Sequence, residues 1–191
     1  MHNNFTNADM IAAASLFKKK NIILTQSKYV REFEKKWSKW LGVKYTVFVN
    51  SGSSANFLTM ATLKLLYGSG EVIVPTLTWV SDIVSVIQNN FKPVFVDINP
   101  KNLCMSEEQI IKKINKKTIA VFMTHVQGFN GLSNKLLSFL KKRKILLIED
   151  VCESHGATFN NKKLGTFGKI SNFSFYYAHH MSTIEGGAVC T

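Results

Sequence analysis

In the segment QSKYVREFEKKWSKWLG the apolar residues Val30, Phe33, Trp37, Trp40 and Leu41 recur at the three-and-four spacing of one helix face. Gly42 is placed to stop that helix. It is one of two amphipathic patterns in the first forty residues, and beyond it the period changes. Short runs rich in Val and Ile appear at Tyr45 to Val49, Val72 to Val74, Pro93 to Val96, Ile119 to Met123 and Ile145 to Ile148. Each is too short for an independent helix and has the β-branched content of a strand. Helical-length segments alternate with them at Ser54 to Leu66, Ser81 to Gln88, Ser106 to Ile114 and Ser133 to Lys142. Strands apolar on both faces that alternate with helices predict a largely parallel sheet covered on two sides, a three-layer α/β domain. Toward the end, FNNKK predicts a turn between short strands, and NFSFY and GGAVCT predict two more strands.

Composition narrows the function classes. With 46% hydrophobic residues in 191, the chain can bury one substantial core, which predicts a single domain over residues 1–191. No apolar run approaches the roughly 18 residues of a membrane span, and MHNNFTNADM lacks the basic and apolar regions of a secretory leader, so a cytoplasmic protein without membrane contact is expected. The net charge of +12 raises nucleic-acid binding. The lysines, however, fall in short runs such as Lys18 to Lys20, Lys112 and Lys113, and Lys141 to Lys144, at expected helix ends and turns, where they solvate the surface. No nucleic-acid partner is expected. Cys104, Cys152 and Cys190 are too far apart for a zinc pattern and odd in number for a disulfide framework.

Four segments carry candidate chemistry, and each follows an expected strand, where ligands bind in open α/β sheets. In VNSGSSAN, Gly52 permits a tight turn, and Ser53 and Ser54 place N–H groups and hydroxyls at a helix start, a geometry suited to phosphate or simply to capping. In PTLTWVSD, Trp79 is either a flat face for an aromatic ligand or part of the core. In LLIEDVCESHGA, Glu149 and Asp150 end a buried strand and need partners, which for Asp150 a protonated ring nitrogen would supply; Glu153 lies near the same pocket. A metal held by Asp150, Glu153 and His155 is the rival reading, but no second ligand cluster supports it, so no metal is expected. In NFSFYYAHHMSTIEGG, Ser174 can donate to phosphate, His179 and His180 titrate near neutral pH, and Gly186 and Gly187 allow close backbone approach.

Taken in order, the blocks SGSSAN, EVIVPTLTW, KPVFVDINPKNLCM, IEDVCESHGATFNNKKLGTFG and SFYYAHHMSTIEGG make the chain resemble the DegT/StrS family of pyridoxal phosphate (PLP)-dependent sugar aminotransferases. The resemblance implies a PLP-dependent transferase fold-type I large domain preceded by an N-terminal segment, with a C-terminal small domain lying beyond Thr191. It implies that Gly52, Ser53, Ser54 and Ser174 hold the cofactor phosphate, that Trp79 stacks on the pyridine ring and that Asp150 binds its nitrogen. Where family aminotransferases carry the lysine that binds the cofactor covalently, the fifth residue after Ser174 is His179. Histidine cannot make that link. The departure resembles the family's 3-dehydratase branch, which Glu153 also suits, and implies a cofactor held noncovalently as pyridoxamine phosphate (PMP). The implied reaction removes the C3 hydroxyl of a nucleotide-diphosphate 4-keto-6-deoxy sugar, with His179 as general base, in a homodimer. Two alternatives stay open: a sugar aminotransferase homologue, for which no lysine lies between Lys169 and Thr191, and an inactive relative kept as a binding subunit.

Overall fold

The computed structural model describes residues 5–23 and 25–191. Helix α1 (Asn7–Phe17) opens on a capping box, in which the Thr6 hydroxyl and the Asp9 carboxylate each accept the other residue's backbone N–H. It buries none of its residues, so the first of the two expected amphipathic patterns is not one: Met10, Ile11 and Phe17 all face solvent. Helix α2 (Lys28–Leu41) fulfils the second, burying Trp37 and Leu41 and ending at Gly42 with φ 93°. Trp40 departs from the pattern. It lies 40% exposed beneath the Lys163 ammonium, 5.0 Å from the ring centre.

The strand–helix alternation follows: β1 (Thr46–Val49), α3 (Gly52–Tyr67), β2 (Glu71–Pro75), α4 (Val80–Gln88), β3 (Lys92–Val96), α5 (Glu107–Lys113), β4 (Thr118–Thr124), α6 (Asn134–Arg143) and β5 (Leu146–Asp150). A small hairpin, β6 (Thr158–Phe159) and β7 (Lys162–Lys163), turns at Asn160 and Asn161, both left-handed at φ 48° and 59°, a conformation Asn tolerates. The chain then enters β8 (Ile170–Ser174) and β9 (Gly187–Cys190). The seven-stranded sheet runs β1-β9-β8-β5-β4-β2-β3. Among the described residues β9 alone runs against the other six strands, pairing antiparallel with β1 on one side and β8 on the other.

Side chains alternate between two cores. Ile73, Val121, Met123 and Leu147 point into one with Trp37, Leu136 and Phe173, while Val72, Val74, Ala120, Phe122 and Ile148 point into the other with Met60, Leu63 and Val86. Helices α3 and α4 cover the second face, and α2, α5 and α6 the first, so the three-layer expectation holds. Both-face burial holds for the central strands and fails at the edges, where Val47 of β1 and Phe95 of β3 are exposed. Among the described residues no helix is long and apolar enough to cross a membrane.

The strand that closes the sheet is sterically tight at its start. Gly187 lies between Val49 and Ser174 in register, and a Cβ there would fall 2.2 Å from the Ser51 carbonyl oxygen and 2.7 Å from the Gly52 nitrogen. Both are backbone atoms that cannot swing away. Gly187→Ala is expected to cost about 3 kcal/mol, the upper end for overpacking, read as a lowered denaturation midpoint with unchanged slope.

Candidate functional site

Because β1, β2, β4, β5 and β8 all run in one direction, their carboxyl ends meet at one edge of the sheet. The loops leaving them enclose a cavity of about 1110 Å³. Gly52, Ser53, Trp79, Asp150, Glu153, Ser174 and His179 line it together, although they are scattered over more than 120 positions of sequence. Ser54 does not. Its backbone N–H donates to the Ser51 hydroxyl at 3.1 Å, and its side chain faces a smaller neighbouring hollow with Phe57 and Gln88.

At one end of the cavity, α3 begins with Ser51 as its cap and presents its first turn inward. Gly52 permits this closeness: a Cβ there would sit 2.7 Å from the Ser174 Cβ and 3.0 Å from the Cys152 sulfur. Trp79 precedes α4 and is 69% exposed as it borders the cavity, which decides against a core role. Asp150 is 4% exposed at the end of β5; its Oδ1 accepts the Cys152 N–H at 2.9 Å and its Oδ2 an N–H of Asn56 at 3.1 Å. None of the ion pairs among the described residues involves it. Glu153 accepts the N–H of Gln127 at 3.1 Å, steadying a turn in which Gln127 is left-handed at φ 50°.

His179 sits in the turn after β8, its N–H donating to the Tyr176 carbonyl at 3.0 Å. Its imidazole is half-buried. Burial lowers its proton affinity below the ordinary imidazole value, Glu153 and Asp150 oppose that, and His180 adds to it. Behind it His155 packs against Trp37 and Phe175, with the His179 and His180 rings 6.2 and 5.9 Å away. Burial, then the two neighbouring histidines, pull His155 down to about 4, so it stays uncharged. Cys152, partly buried beside Asp150 at the cavity wall, is a poor nucleophile: burial foremost, then the Asp150 charge, push its thiol well above the usual range. Among the described residues no three His, Cys, Asp or Glu side chains gather to hold a metal ion.

A second polar knot braces the site from below. The fully buried Glu149 accepts N–H bonds from Gly165 at 2.8 Å, Phe167 at 2.8 Å and Gly168 at 2.6 Å, and pairs with His125 Nε2 at 3.1 Å. His125 Nδ1 accepts from the Gly131 N–H at 3.2 Å, which places its proton on Nε2 and makes the contact to Glu149 a donated hydrogen bond rather than a full ion pair. The sequence marks Glu149 as a buried acid that needs a partner, but not His125 and the loop that supply its partners, nor Ser51, Asn56 and Asp82 as residues of the site. Asn56 and Asp82 stand inside the quoted motifs, but nothing local shows that they meet.

Fold and site define a parallel-sheet α/β domain carrying its ligand cleft at the strand ends. The chain belongs to the DegT/DnrJ/EryC1/StrS aminotransferase family, whose model matches residues 6–191. It is 36% identical over 174 residues to the GDP-4-keto-6-deoxy-D-mannose 3-dehydratase of Escherichia coli O55:H7, covering 88% of this chain and 45% of that one. To the GDP-perosamine synthase of Vibrio cholerae it is 37% identical over 167 residues, covering 87% and 45%. A solved E. coli GDP-4-keto-6-deoxy-D-mannose 3-dehydratase with bound hydrated PLP superposes with a TM-score of 0.93 at 33% identity, over 100% of this chain and 50% of that one. The chain thus spans about half the length of the curated relatives it matches.

Proposed function

We propose that the chain forms the cofactor-binding half of a nucleotide-sugar 3-dehydratase that uses PMP, which is left as PLP after each turnover, to remove the C3 hydroxyl of a nucleotide-diphosphate 4-keto-6-deoxyhexose. The observation that carries the reading is the half-buried imidazole of His179 on the same cavity as Asp150, Ser174 and Trp79. The residues suit such a cofactor. A phosphate fits the α3 N-terminus beside Ser53 and Ser174, where Gly52 leaves no side chain in the way. The exposed indole of Trp79 offers a stacking face, and the buried Asp150 carboxylate, without a cation of its own, suits a protonated ring nitrogen. When bound, the cofactor supplies an electron sink that the side chains lack.

The chain's own residues would do the rest. Asp150 keeps the ring nitrogen protonated. His179 takes a proton beside the ring as general base and returns one to the departing C3 oxygen, both within reach of a group that titrates near neutrality. Glu153 and its bond to Gln127 hold the loop that faces His179 across the cavity. The aminotransferase relatives favour a second reading, but a side chain at position 179 that cannot bind the cofactor covalently opposes it.

The protein is expected to act in the cytoplasm as a homodimer. Support comes from exposed apolar side chains on α3 and α4, among them Leu65, Leu66, Val80 and Ile87, which a second copy would cover. The test of the reaction incubates the full-length protein, PMP and a nucleotide-diphosphate 4-keto-6-deoxyhexose, and follows loss of the C3 hydroxyl by mass. Borohydride treatment of the PLP-loaded protein should leave no cofactor attached to the chain. A covalent adduct, or amination at C4 without deoxygenation, would transfer the protein to the aminotransferases.

A further inference from the structure

Asp82 has no part in the reading above, yet no carboxylate near the cavity is more enclosed. It lies in the first turn of α4 with no exposed surface. Its Oδ1 accepts from Asn56 Nδ2 at 2.7 Å, and its Oδ2 accepts from the hydroxyls of Thr78 and Thr124. The same Asn56 nitrogen reaches Asp150 Oδ2 at 3.1 Å. The orientation of that amide is fixed from behind: Asn172 Nδ2 donates to Asn56 Oδ1 at 2.8 Å, and Asn172 Oδ1 accepts from Thr59 at 2.7 Å. One amide nitrogen therefore serves two buried carboxylates.

Like charges this close in a low-dielectric site do not both persist, and such a pair keeps one proton between its members. Asp150 borders the cavity, where a cationic ligand atom can meet it; Asp82 lies behind, walled in by neutral Asn and Thr groups. Burial first, then the neighbouring Asp150 charge, raise Asp82 well above the usual carboxylate range.

We propose that Asp82 is the carboxylic-acid partner of Asp150: it retains its proton, donates it in a hydrogen bond to the Asp150 carboxylate, and fixes the oxygen that Asp150 turns to the cofactor ring nitrogen. The pair then carries one negative charge, matched to one pyridinium. Asp82 is thus a positioning residue. The inference rests on a B6 ring facing Asp150, but its proton is a property of the apoprotein.

Asp82→Asn keeps the shape and a donor; Asp82→Ala keeps neither. In the full-length protein, Asp82→Asn should bind PMP within about threefold of the parent, whereas Asp82→Ala should bind at least about tenfold more weakly and lose the ring proton at lower pH in an absorbance titration. Circular dichroism checks whether both are folded. Infrared spectra of the apoprotein near neutral pH should show a protonated-carboxyl band that Asp82→Asn lacks, a readout that stands even where the Ala variant does not fold. Parental PMP binding by Asp82→Ala, equal losses in both variants, or absence of the band overturns the proposal. Should the parent itself take up no PMP, the reading of the cavity falls with the ring-facing half of this inference, while the band still decides whether Asp82 holds a proton.

Discussion

Replacing His179 by Asn should lower C3 deoxygenation by about 10²–10⁴-fold, the span that a positioned general acid–base contributes, while leaving PMP affinity nearly unchanged. The amide fills much the same volume and can still form hydrogen bonds, but it cannot take up and release a proton near neutrality. The turn that carries the residue is held by the backbone bond from its N–H to Tyr176, which the substitution leaves intact. Burial lowers the proton affinity of His179, so the base-competent neutral form persists to pH values below the ordinary imidazole midpoint. The acidic limb of kcat/KM should accordingly lie below pH 6.5, with the rate falling as pH drops through it, and that limb should vanish from the residual activity of His179→Asn. Deoxygenation at the parent rate in the variant would remove His179 from the chemistry.

Glu149→Gln should destabilise the fold by about 2–6 kcal/mol, two buried donors left without an acceptor at roughly 1–3 kcal/mol each, a large part of the roughly 5–15 kcal/mol that holds an ordinary domain. The carboxylate is acceptor-only, and both of its oxygens are fully used. Oε2 receives His125 and Gly165, and Oε1 receives Phe167 and Gly168. An amide turned either way sets its NH₂ against two donors, leaving buried N–H groups without an acceptor. The loss would reach the cavity, because His125 also steadies the turn at Gly131, and its carbonyl accepts from Ser154, which in turn accepts from Gly128. Chemical denaturation checks the magnitude. A cost below about 1 kcal/mol, the ordinary value of a single neutral bond, would show that the knot is not needed.

The strand–helix alternation could be read from the sequence because the central strands are buried on both faces and the helices on one, so each leaves its own period in the chain. Boundaries shifted where a cap lies outside the helix it serves: Ser106 and Ser133 each cap a helix that starts one residue later, and α3 starts at Gly52, two residues before the expected Ser54. The first helix misled because its apolar residues suggest a buried face that the structure does not give it. Of the site, the residues that open a loop after a strand were visible, since Gly, Ser and His stand out there. Asp82 and Asn56 were not. Their meeting depends on α3 and α4 packing side by side over the sheet, a contact between residues 26 positions apart that no local pattern encodes. Glu149 stood out as a buried strand-end acid in need of a partner, but which partners it meets was not legible, as its backbone donors lie 16 to 19 residues downstream in a loop without regular structure.

The single antiparallel strand β9 also dictates an order of assembly. Strand β1 emerges early in synthesis, but its only sheet neighbour among the described residues is β9, and the side-chain contact from Thr46 to Cys190 bridges 144 positions. Until the ribosome has released residue 190, β1 has an unpaired edge and no place in the sheet, and the start of α3 is not yet pinned against Gly187. Closure over so long a loop is slow, so the Gly52 end of the cleft should mature only after β9 has been made, with exposed strand edges that invite chaperones in the interval.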